Sequence, residues 1–202
     1  MNTKKFFFYL LAVLLGGCLP VMSLHPLFNK KDVVFDKKLL GTWVADPNSP
    51  ENTWEFKRAD ANENAYRLIL SDEEGKKGLS VAHLVKLKDK LFLDACPAPW
   101  EQQGPNKIEW EFNTLFLIPG HTFIKINSIE PQLKMQVTDD DKMKELLKAD
   151  PNAVKHTSVG ERLVLTAPTK ELQAFILKYA DNERVFTDEV TLVRKQTKTQ
   201  VP

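Results

Sequence analysis

From residue 41 onward the apolar residues fall on every second position, the period of a strand that buries one face. In "TWEFK", Trp54 and Phe56 lie on one side and Thr53, Glu55 and Lys57 on the other. "AYRLILS" groups Tyr66, Leu68 and Leu70, and after the turn "DEEGKKG" the run "LSVAHLVKL" groups Leu79, Val81, His83, Val85 and Leu87. These two runs read as a hairpin. The chain turns again at "KDK" into "LFLDAC", where Leu91, Leu93 and Ala95 share a face. "IEWEFNTLFLI" sets Ile108, Trp110 and Phe112 against Glu109, Glu111 and Asn113, and further strands are expected at "HTFIKINSI", "LKMQV", "RLVLTA" and "EVTLVRK".

Two segments carry helical spacing instead. "DDDKMKELLKADP" places Met143, Leu146 and Leu147 at i, i+3 and i+4, has acids at its start, where the helix dipole favours them, and stops at Pro151. "PTKELQAFILKYAD" puts Leu172, Phe175, Ile176 and Tyr179 on one stripe, with Thr169 as its expected N-cap. Either helix can lay its apolar face on a sheet or close one end of a barrel.

About nine short antiparallel strands, each with one apolar face, favour a closed barrel, because closure leaves no exposed edge. The expected fold is therefore mainly β: an antiparallel barrel of about 8–9 strands with two short helices. The stretch "LLGTW" adds detail. Gly41-Thr42-Trp43 resembles the Gly-x-Trp motif that opens the first strand of lipocalins and related calycin barrels. That resemblance implies that Trp43 plugs one end of the barrel and that Arg194, on the last strand, packs across its face. The chain departs from the lipocalin pattern in placing both helices before the final strand, where the family has one helix after the barrel. The wider sequence, with "KLFLDACP" and "IPGHTFIKI" ahead of the helices, is also similar to a group of bacterial lipoproteins. That similarity supports the architecture and implies no reaction.

The N-terminus has a different character. Lys4 and Lys5 precede an apolar run from Phe6 to Leu15, the length of a signal-peptide core and too short to span a bilayer. Leu15-Gly16-Gly17-Cys18 resembles the lipobox of bacterial lipoproteins. The resemblance implies that Cys18 becomes the acylated N-terminus, carrying a diacylglyceryl thioether that anchors the protein stably on a membrane. Leu19, in place of Asp, implies the outer membrane if sorting follows the enterobacterial pattern; it leaves the leaflet open, and the periplasmic side is the expected one. The expected layout is a signal peptide over 1–17, a tether over 18–33, the barrel over 34–195 and a flexible tail over 196–202. Loss of residues 1–17 removes two lysines and no acid, so the formal charge moves from +1 to −1. A near-neutral surface argues against a nucleic-acid partner. Once Cys18 is lipidated, Cys96 has no partner for an intrachain disulfide, and its apolar neighbours favour burial over reactivity.

Candidate chemistry is sparse. His83, Asp94 and His121 are of the types that hold zinc, but their spacing matches no metal motif, and Asp94 has the opposite parity from Leu91, Leu93 and Ala95. The competing reading is a core histidine hydrogen-bonded to backbone or to a carboxylate. His25 and His156 read as tether and loop residues. Ser80 and Ser128 have no paired base at a readable spacing, and no glycine loop cradles a phosphate. Asp139, Asp140 and Asp141 are accounted for by a helix start. No cofactor is called for.

Three functions stay open. Trp54, Tyr66, Trp110 and Phe112, with His83, can line a cup for a small apolar molecule, with Trp100 at its rim. The same rings can instead fill the barrel of a module whose partner is another envelope protein. A metal site or hydrolase built on His83 and His121 is the third.

Overall fold

The computed structural model describes residues 20–48, 50–60, 63–99, 117–182 and 185–196. Its centre is a closed eight-stranded antiparallel barrel, the lipocalin-like architecture expected. Seven strands form a meander: β3 (Gly41–Val44), β4 (Thr53–Arg58), β5 (Tyr66–Ser71), β6 (Lys77–Leu87), β7 (Lys90–Pro97), β8 (Thr122–Ser128) and β9 (Leu133–Val137). The eighth, β12 (Val190–Arg194), enters between β9 and β3, and β6 also pairs with β7, which shuts the cylinder. Only two residues join β6 to β7, and Lys88 takes a left-handed φ of 56° there, as tight hairpin turns require.

The closed end is built around Trp43 and Arg194. Trp43 is fully buried, its Nε1 donates to the carbonyl of Leu39 at 2.9 Å, and the Arg194 guanidinium carbon stands 4.3 Å from the ring centroid. Arg194 also donates from Nη1 to Leu40 O (2.9 Å) and from Nη2 to Lys38 O (2.5 Å), so one side chain ties the last strand to the segment entering the first. Gly41 is required twice over. Its φ is +121°, and a Cβ there would stand 2.7 Å from Arg194 Nη1.

Between β9 and β12 the chain makes an excursion of two helices, α1 (Asp140–Ala149) and α2 (Thr169–Lys178), with β10 (His156–Val159) and β11 (Arg162–Leu165). Asp139 caps α1 by accepting from Lys142 N at 3.0 Å, and Met143, Leu146 and Leu147 are buried as their spacing predicted. The N-cap of α2 is Pro168, not Thr169. The Thr169 hydroxyl instead donates to Pro26 O at 2.8 Å, a longer-range use of a group expected to cap locally. Both helices lie against the outer wall of the barrel, their apolar stripes sharing one cluster with Val85, Leu87, Phe92 and Phe123. Among the described residues no helix is long and apolar enough to cross a membrane.

This outer layer inverts one expectation. On β6 the parity taken as the core face, Val81, His83, Val85 and Leu87, points outward, while Ser80, Ala82 and Leu84 point into the barrel. The strand is covered on both faces, and period two cannot say which apolar face is the lumen. The inward parities of Trp54 and Phe56, of Tyr66, Leu68 and Leu70, and of Leu91, Leu93 and Ala95 agree with the sequence.

The segment expected as a tether over 18–33 belongs, from Val21 on, to the folded body. Val21 and Leu27 are buried, β1 (Met22–Ser23) pairs in parallel with β11, and β2 (Val33–Val34) pairs with β6. Gln173 Nε2 on α2 donates to Leu27 O at 2.8 Å. Packed chain, and not free linker, is why that stretch is rich in apolar residues.

Substituting Gly41→Ala should cost about 1–3 kcal/mol in urea denaturation, from the forced backbone and the collision with Arg194. Arg194→Met, which keeps the packing volume but loses the cation–π contact and the two carbonyl bonds, should cost about 2 kcal/mol by the same measurement.

Candidate functional site

Opposite the Trp43 plug, the barrel is open and hollow. A cavity of about 630 Å³ runs in from this end, walled by Trp54, Leu68, Leu70, Ile124, Met135 and Leu192. The hollow follows from side-chain size. Ser80 and Ala95 project inward where longer residues would meet across the lumen, whereas the closed half is filled by Trp43, Phe56, Tyr66 and Leu84. The wall is apolar apart from a few groups near the mouth. One of these is the Thr122 hydroxyl, on the inward parity of β8, which is buried and has no hydrogen-bond partner among the described residues. An unpaired polar atom beside an apolar space is what a ligand with one polar group can satisfy.

The candidate cup residues separate. Trp54 lines the cavity, half-buried, directly opposite Leu70 on the neighbouring strand. Tyr66 does not. It is fully buried near the closed end, stacked on Phe35 at 4.7 Å, and its hydroxyl accepts from Asp36 N (2.7 Å) and donates to Asp36 O (3.0 Å). Burial pushes the Tyr66 phenol up to about 12, so it stays a neutral structural donor. His83 lies on the outer wall, 4.4 Å from the Phe28 ring, and takes no part in the cavity. Its neighbours are not the lumen residues that sequence parity suggested. Trp100, Trp110, Phe112 and Cys18 lie outside the described residues.

Asp94 and His121 form a buried hydrogen-bonded pair. Asp94 is the register partner of His83 on the outer face, so the two share a face after all; parity had misled because His83, not Asp94, was assigned to the wrong side. Asp94 Oδ1 stands 2.6 Å from His121 Nδ1, and Oδ2 accepts from Leu27 N at 2.6 Å. A carboxylate only accepts, so Nδ1 carries the proton. The pair thus fixes the N-terminal segment against the barrel wall beside the mouth, where Ser23 and His121 also exchange two backbone bonds of 2.8 Å. Burial holds the His83 imidazole below the ordinary histidine value, against the opposing pull of Asp94 and Glu63. Among the described residues, no three His, Cys, Asp or Glu side chains converge on a point where a metal ion would sit.

Cys96, half-buried at the rim of the cavity, shares the outward parity of β7 with Asp94 and is the register partner of Val81. Burial, reinforced by the Asp94 charge, raises its thiol above the ordinary value, which lowers its thiolate content at neutral pH. The sequence offered a cup as one of two readings of the inward rings, and of its described candidates Trp54 alone lines the cavity. The signal that reasoning missed was the pair of small residues, Ser80 and Ala95, on strands of otherwise large side chains.

Cys96 should react with iodoacetamide several-fold more slowly than free cysteine at pH 8, with the difference shrinking as the pH rises and more thiolate forms. Asp94→Ala, which strands the Leu27 N–H and the His121 ring, should cost about 2–4 kcal/mol in chemical denaturation. Asp94→Asn, still able to accept from Leu27, should cost less.

No protein-family model matches the chain, and neither a curated protein nor a solved structure shows significant similarity to it.

Proposed function

We propose that this chain is a lipid-anchored, lipocalin-like lipoprotein of the bacterial cell envelope, held on the periplasmic side of the outer membrane, which binds a small apolar molecule in its barrel. The observation that carries this reading is the open cavity of about 630 Å³ with its apolar wall. A space of that size suits a drug-sized or single-chain lipid-like molecule, and pockets of this kind hold their ligands mainly by burying apolar surface. The Thr122 hydroxyl, left without a partner, supplies one orienting hydrogen bond. The anchor rests on Leu15-Gly16-Gly17-Cys18 and the apolar run before it.

A pocketless interaction module would have its barrel filled from end to end. Here side chains fill only the half next to Trp43, which favours a ligand over a purely protein partner.

The test combines native mass spectrometry of detergent-free protein with titration by N-phenyl-1-naphthylamine, an apolar fluorescent probe. Saturable one-to-one binding that quenches Trp54 emission is the expected result. Ala95→Trp, which fills the lumen, should weaken it by about tenfold or more, ~1.4 kcal/mol, with thermal unfolding little changed. Protein that binds no probe and carries no extractable lipid-like adduct would remove the carrier function.

A further inference from the structure

Among the described residues, four large apolar side chains are exposed: Leu24, Leu117, Ile118 and Val159, the last two at 72% and 66%. All four belong to one end of the molecule. Leu24 follows the cavity-lining Met22 by two positions, Leu117 and Ile118 precede the cavity-lining Gly120, and Val159 stands three positions before Arg162, also on the cavity rim. At the opposite, closed end the exposed side chains include the ion-paired Lys38 and Glu130. A soluble barrel has no need to gather its exposed apolar groups around one opening.

The chain's own course points the same way. Pro20, Val21 and Met22 line the cavity, and Met22 packs against Gly120 at the mouth. Cys18 precedes Pro20 by two residues, which span at most ~7 Å even when fully extended. A lipid on Cys18 therefore leaves the protein beside the mouth and nowhere else.

We infer that the open end of the barrel docks on a lipid bilayer, with Leu117, Ile118 and Val159 among the headgroups and the cavity opening onto the membrane surface. The inference rests on the proposal that Cys18 carries the anchor. The rim charges, Asp72 beside Lys76, Lys77 and Arg162, are basic in balance, so apolar insertion drives the contact and anionic headgroups add to it. An apolar ligand then passes between bilayer and cavity without crossing water.

The test is hydroxyl-radical footprinting, read by mass spectrometry, of the mature chain on phosphatidylcholine vesicles against a Cys18→Ser chain free in buffer. Where the mass shows Cys18 unmodified, the lipoprotein reading falls by itself, and the chain is attached through a maleimide lipid at Cys18 in the Cys96→Ser background. The expected result in either case is a several-fold fall in oxidation of Ile118 and Val159, with Leu40 and Pro131 at the closed end unchanged. Ile118→Glu combined with Val159→Glu, which replaces surface residues and leaves the core intact, should restore oxidation of Leu117. Full oxidation of Ile118 and Val159 on vesicles, or protection of Leu40 and Pro131 instead, overturns the docking. So does protection that appears in free protein and grows with its concentration, which assigns the face to a second copy.

Discussion

The barrel depends on the contact of Arg194 with Trp43. Sheet closure requires the last strand to find the first, and backbone pairing there is short: Val193 opposite Val44 and Arg194 opposite Trp43. The guanidinium reinforces it by lying over the indole and binding two carbonyls of the incoming segment. Gly41 has to be a glycine because that guanidinium occupies the place of its side chain. Among the described residues, large side chains fill the barrel at this end and the cavity lies at the other.

Much of the barrel was legible in the sequence because most of its outer wall faces water. Strands β4 and β5 show clean alternation, with Glu55, Lys57 and Arg67 outside, and their inward residues were assigned correctly. Legibility failed where a second layer covers the wall. On β6 both parities are apolar, so the lumen and the outer cluster exchange places, and His83 with them. The same cause set Asp94 and His83 on opposite faces in the sequence reading, although they are register partners and it is His121 that Asp94 binds.

The N-terminal segment explains the remaining difference. Prolines and a lack of periodicity made residues 18–33 look like a tether, yet its backbone bonds go to β11, β6, His121 and the carboxylate of Asp94. Such irregular chain satisfies its polar groups one by one, with partners far away in sequence, and leaves no periodic trace. Tyr66, a cup candidate from its inward parity, lies instead by the closed end, where its hydroxyl is spent on the Asp36 backbone within this segment's continuation.

The placement of the excursion before β12 also bears on how the chain becomes a finished molecule. Arg194 and the Leu40 carbonyl it binds are 154 positions apart, and two helices and a separate small sheet lie between the strands that must meet. Until the C-terminal strand arrives, β3 and β9 are open edges, each able to pair with another chain. A copy that is truncated or clipped within its last dozen residues would retain most of its core yet behave as an adhesive sheet. The C-terminal strand thus acts as a seal of completeness, and proteolysis there would be read by the cell as aggregation.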